Sequence, residues 1–180
     1  MAVQIDIQIA DDLNNSTDEP PSRALFTAWA QAAWQGEADA SPLVSLRIVS
    51  ANESQQLNND YRGKNRPTNV LSFPMQLDTP IPSDQEAGEE YRMPGPFLGD
   101  LAICAEVVAR EARQQHKTAV AHWAHMLVHG MLHLQGYDHI QDDEAEQMEQ
   151  LEIRILQQLG FANPYQINTS IDTSMVESEK

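Results

Sequence analysis

The chain has 180 residues, 41% of them apolar, and carries a net charge of −16 from 27 acidic against 11 basic side chains. That length suits one domain with a sizeable core, and that charge opposes indiscriminate binding to nucleic acid. No apolar run approaches the roughly 18 residues of a membrane span, Met1 to Asp6 lack the basic and apolar regions of a signal peptide, and the lone Cys104 excludes an internal disulfide, so a cytosolic protein is expected.

Val3 to Ile9 alternates apolar and polar residues, which predicts a half-buried strand. Ser22 is placed to cap a helix carrying Leu25, Ala28, Trp29 and Ala32 on one face. Leu43 to Val49 alternates again and predicts a second strand. Asn52 is placed to cap a short helix running to about Asp60. Tyr61 to Thr68 reads as a basic loop, stopped by Pro67 and carrying Arg62, Lys64 and Arg66. Val70 to Phe73 predicts a third strand, ended by Pro74. Residues 76–97 hold four prolines and the acids Asp78, Asp84, Glu86, Glu89 and Glu90, so a long surface loop is expected there.

Leu98 to Cys104 predicts a fourth strand, with Cys104 as a small core residue. Helices follow over about Glu106–Gln115 and Thr118–Gln135. Asp143 and Glu146 have the spacing of a capping pair for a last helix that buries Met148, Leu151, Ile155 and Leu159. The acids Asp142, Asp143, Glu144, Glu146, Glu149 and Glu152 crowd the same helix. The chain is polar from Asn168, which predicts one domain over residues 1–165 and a disordered tail over 166–180. The expected class is α+β: a small mixed sheet of about four strands packed with about five helices.

The densest chemistry lies in His129-Gly130-Met131-Leu132-His133-Leu134-Gln135-Gly136-Tyr137-Asp138-His139. Imidazoles four apart on a helix share a face, and zinc needs its nitrogens about 2.1 Å from the ion. On an unbroken helix His139 would lie about 15 Å beyond His129, out of reach. Gly136 is where the helix can end and the chain turn back. The pattern fits a metal on three histidines with a fourth position open, at the end of a helix whose apolar neighbours predict burial. The same spacing occurs in zinc proteases, which place a glutamate base after the first histidine; here that position is Gly130. His125, one turn earlier, reads as a core residue or as support behind a ligand. His122 and His116 read as structural or exposed.

The histidine block resembles the signature of the YbeY family of metal-dependent endoribonucleases and ribosomal RNA maturation factors. Two further blocks agree with it: Tyr61-Arg62-Gly63-Lys64 with Pro67-Thr68-Asn69-Val70-Leu71-Ser72-Phe73, and Leu98-Gly99-Asp100-Leu101-Ala102-Ile103. The loop at 76–97 and a tail after Pro164 that looks dispensable stand outside these blocks. The resemblance implies a bacterial cytosolic enzyme that cleaves single-stranded RNA, matures the 3′ end of 16S ribosomal RNA and acts in ribosome quality control. It implies one Zn²⁺ per chain on His129, His133 and His139, and a functional role for Arg62. Small-subunit ribosomal proteins are expected partners of so acidic a surface; neither DNA nor membrane is.

Arg62 is the candidate phosphate clamp, since its planar fork pairs two phosphate oxygens. Lys64 and Arg66 would steer the backbone. Phe73 would stack on a base or sit in the core. Asp138 would orient a ligand from behind or shape the turn. Two nucleophiles stay open, an activated water and the ribose 2′-OH. Two rival functions are a zinc peptidase and a non-enzymatic ribosome assembly factor with a structural metal.

Overall fold

A computed structural model describes residues 2–13, 19–75, 96–138 and 140–165. The alternating segments form strands β1 (Gln4–Ile9), β2 (Leu43–Val49), β3 (Val70–Pro74) and β4 (Phe97–Cys104). They make one sheet in the order β1-β2-β4-β3, with β1, β2 and β4 parallel and β3 antiparallel on the edge. The helices are α1 (Arg23–Ala33), α2 (Ala51–Arg62), α3 (Ala105–Gln114), α4 (Ala119–Leu134) and α5 (Asp142–Gln158). The fold is α+β, as its sequence pattern predicts. No helix among the described residues is long and apolar enough to cross a membrane.

Period-two alternation divides the strands between two cores. Val44, Leu46, Ile48, Leu101, Ile103 and Val70 face the larger one, with α1, α4 and α5. Leu71, Ala102, Cys104 and Val107 form the smaller one on the opposite face, against Leu57 of α2 and Phe73. Helix α4 is the centre of the molecule: Leu127, Val128, Met131 and Leu132 are fully enclosed. Each such side chain contributes about 1.5–3 kcal/mol of burial, so the position of α4 against the sheet is firmly held. Phe26 packs edge-on against Trp29 and Trp123, with ring centroids 5.7 Å apart in both pairs.

Several local expectations are corrected. Helix α2 is capped by Ser50, whose hydroxyl accepts from Glu53 N, rather than by Asn52. It runs through Arg62, so Arg62 ends a helix instead of sitting in a loop. Asp143 and Glu146 form no capping box; Gln141 is the N-cap of α5, without a side-chain bond, and Asp143 accepts from Glu144 N. The expected cap at Ser22 is present, and Thr118, where the sequence begins its helix, caps α4. Residues 76–95 and 166–180, and His139, lie outside the described residues.

Candidate metal centre and cleft

Helix α4 carries His122, His125, His129 and His133 along one stripe. The last two meet at their Nε2 atoms, 3.0 Å apart. Two ring nitrogens that close cannot both carry protons, so at least one lone pair lies between the rings. Past His133 the helix stops as expected. Gly136 takes φ +97°, its N–H donates to His133 O, and Tyr137 N–H donates to Leu132 O. These two bonds satisfy carbonyls the helix would leave open, and they turn the chain back. Tyr137 and Asp138 then line a cleft of about 410 Å³ together with His133, Gly136, Ser72, Pro74 and Arg62.

The approach of Arg62 is set by topology. Helix α2 covers the Leu71 and Phe73 face of the sheet, whereas Ser72 and Pro74 belong to the Val70 face that α4 covers. Because β3 is an edge strand, the Arg62 side chain reaches round it into the cleft. Arg62 is exposed and has no carboxylate partner among the described residues. The loop that follows is stapled to α2: Asn58 Nδ2 donates to Arg66 O at 2.8 Å, and Ser54 exchanges two 2.9 Å bonds with Thr68. Lys64 and Arg66 are exposed on this loop, outside the cleft lining. Phe73 is half-buried under Tyr61, ring centroids 4.9 Å apart, and it is Tyr61 that is 68% exposed.

A buried acid that sequence reasoning missed stands behind the histidines. Glu152 is 0% exposed. Its Oε1 accepts from His129 Nδ1, and its Oε2 accepts from Tyr165 Oη and, at 3.3 Å, from His125 Nε2. Burial works against its ionisation, but these hydrogen bonds outweigh it and hold its carboxyl down to about 2. Burial also pushes His125 below the ordinary imidazole value, against the pull of Glu152. Glu152 thus stands apart from the other acids that crowd α5. The segment after Pro164 is not wholly dispensable either, since Tyr165 reaches this carboxylate. The signal was in the register: Glu152 lies four residues after Met148 and three before Ile155, on the apolar stripe of α5.

Among the described residues, two donor sets could therefore hold a metal. One is His129 with His133, beside the open cleft. The other is His125, His129 and Glu152, whose ligand atoms lie within 4.8 Å of one another. The second set is closed in, because His125 is 8% exposed and Glu152 not at all. Cys104 joins neither: it lies in the core on the other face of the sheet, and burial pushes its thiol up toward the protonated form. At Gly130 a Cβ would stand 2.7 Å from Leu101 Cδ2 and 3.4 Å from Val70 Cγ2. That position faces the sheet at close quarters and has no room for a glutamate base.

The fold is shared with TM1509 from Thermotoga maritima, whose solution structure superposes with a TM-score of 0.50 at 21% identity, covering 91% of this chain and 99% of that one. The family profile described as Endoribonuclease YbeY matches residues 8–160, a span that takes in β2 to β4, Arg62 and the loop after it, the histidine run and α5. The chain accordingly belongs to the YbeY family of metal-dependent endoribonucleases, and RNA is its substrate class.

Proposed function

We propose that this protein is a zinc-dependent, single-strand-specific endoribonuclease that matures the 3′ end of 16S ribosomal RNA and acts in late ribosome quality control in the cytoplasm, with residues 1–165 as the catalytic unit. The observation that carries the reading is the cleft in which Arg62 and His133 share one wall, with His133 Nε2 against His129 Nε2. His129 and His133 are the proposed ligands, and His139 is the third by its place in the family motif. The convergent Nε2 atoms fit a metal, and the carboxylate behind His129 is the partner that ligating histidines usually have. Bound there, zinc would supply Lewis-acid polarisation of a phosphate and would lower the pKa of a water.

The chain's own residues do the rest. Arg62 pairs the non-bridging oxygens of the scissile phosphate and stabilises the charge that builds on them. Lys64 and Arg66, on their stapled loop, hold neighbouring phosphates and fix the register of the strand. Asp138 closes the wall of the cleft beside His133. The surrounding charge of −16 opposes indiscriminate polyanion binding outside this local basic site and favours basic ribosomal proteins as partners. The peptidase reading loses ground because Gly130 supplies no base and Leu101 leaves no space for one. The closed set of His125, His129 and Glu152 would suit a purely structural metal, but it leaves His133 and the cleft without a role.

The test is metal analysis paired with cleavage of a single-stranded RNA, using wild type, His129→Ala and His133→Ala. One zinc per chain and RNA cuts are expected in wild type only, with duplex RNA and single-stranded DNA of the same sequence left intact. Cleavage that survives both substitutions, or a protein that binds zinc stoichiometrically but never cuts RNA, would overturn the reading in favour of the rival functions.

A further inference from the structure

Glu152 sits at the crossing of α4, α5 and the segment that follows α5. An ionised carboxylate only accepts hydrogen bonds, so each group facing it must bring the proton. A neutral His129 therefore carries its proton on Nδ1, which leaves Nε2 as a lone pair directed at His133 Nε2, 3.0 Å away. By the same logic His125 carries its proton on Nε2, and its lone pair falls on Nδ1, a buried atom with no hydrogen-bond partner among the described residues. One carboxylate thus imposes opposite tautomers on two histidines one turn apart. Only at His129 does the resulting lone pair meet a second potential ligand. The remaining position on Oε2 is filled by the Tyr165 hydroxyl, which leaves Glu152 little freedom to rotate.

We infer that Glu152 is the positioning residue of the metal centre: it holds His129 in the tautomer and orientation that present Nε2 to the cation, and with Tyr165 it excludes His125 from the ligand set. This rests on the reading of His129 and His133 as ligands. It differs from the alternative in which Glu152 itself binds the metal alongside His125 and His129. In that arrangement the Nδ1 of His129 and the Nε2 of His125 would have to give up the protons that the carboxylate accepts.

The two arrangements separate in experiments that do not depend on RNA cleavage. Long-range nitrogen–proton NMR of the metal-free protein should show His129 as the Nδ1–H tautomer and His125 as Nε2–H. In Glu152→Gln the amide oxygen can still accept from His129, while its NH₂ faces His125 and Tyr165. His129 should then keep its tautomer and His125 should switch to Nδ1–H. Zinc affinity, measured by competition with a chromophoric chelator, should fall about 10-fold in Glu152→Gln and about 100-fold in Glu152→Ala, both still binding one zinc per chain.

If Glu152 is instead a ligand, both variants lose stoichiometric binding, His125→Gln loses it too, and His133→Ala keeps it. An Nε2–H His129 in the wild type, or unchanged tautomers and affinity in Glu152→Ala, equally overturns the positioning role. Should Glu152→Ala fail to fold, the wild-type and Glu152→Gln spectra still decide. Zinc binding untouched by His129→Ala and by His133→Ala alike would instead mark failure of the metal-site reading on which the inference stands.

Discussion

At the scale of single residues, Arg62 and Glu111 lead to different experiments. Arg62 stands exposed in the cleft with no carboxylate partner among the described residues, so removing it changes little in the folded protein. Arg62→Ala should reduce RNA cleavage at least about 100-fold, the scale of losing one transition-state donor, while zinc content and melting temperature stay at wild-type values. An active Arg62→Ala would remove it from the machinery. Glu111 is structural. Its carboxylate accepts from His122 Nε2 at 2.9 Å and from Asn69 Nδ2 at 3.0 Å, which pins the start of β3 to α3 and α4. Burial raises its pKa, but these bonds prevail and hold it below the ordinary carboxylate value. A depressed carboxyl contributes stability above its unfolded pKa, and that contribution is lost as pH falls through the lower folded value. Glu111→Gln should therefore cost about 1–2 kcal/mol at pH 7, with the difference from wild type shrinking in urea melts below about pH 4.5.

At the scale of elements, α4 is decided by its contact with the sheet. Gly130 lets the helix approach β4, where any Cβ would press on Leu101 in the core. Alanine gains up to about 1 kcal/mol of helix propensity over glycine, but overpacking a rigid core loses about 1–3 kcal/mol. Gly130→Ala should thus be destabilised by about 1 kcal/mol net, read as a lower denaturant midpoint with an unchanged slope; a more stable variant would show that Leu101 yields. Element boundaries were legible where the signal was local. Thr118 and Gly136 mark the ends of α4 in sequence as they do in structure, because caps and left-handed turns are chemistry of adjacent residues. The end of α2 is marked locally too, by Gly63 at φ +68° with its N–H donating to Asn59 O, whereas the loop after it is ordered by Asn58 and Ser54, which bond from inside the helix to Arg66 O and Thr68.

At the scale of the whole molecule, the Glu152 carboxylate ties α4 and α5 to the chain that follows α5. Lys117 Nζ donates to Pro164 O at 2.7 Å, and the Tyr165 hydroxyl bonds Glu152 beside it. A chain ending at Tyr165 should keep wild-type zinc affinity and RNA cleavage, whereas one ending at Ala162 should bind zinc several-fold more weakly. Equal behaviour of the two truncations would show that Tyr165 is only a bystander. Zinc at 100 times its dissociation constant should stabilise the fold by about 2.7 kcal/mol, so a chelator should lower the melting temperature of wild type and not of His129→Ala.

What the sequence determined by itself was whatever adjacent residues and short periods encode. The strands follow from alternation, and α4 from its caps and apolar neighbours. The choice of imidazole at His129 and His133 follows from a spacing that one helical turn converts into a shared face. What only the tertiary structure decided is which distant groups those imidazoles meet. Glu152 reaches His129 across 23 residues because α5 packs on α4 in one register, and Arg62 reaches the cleft because β3 lies at the sheet edge. Such meetings depend on helix register and strand order, which the packing of the whole core selects; no local window of sequence contains that information.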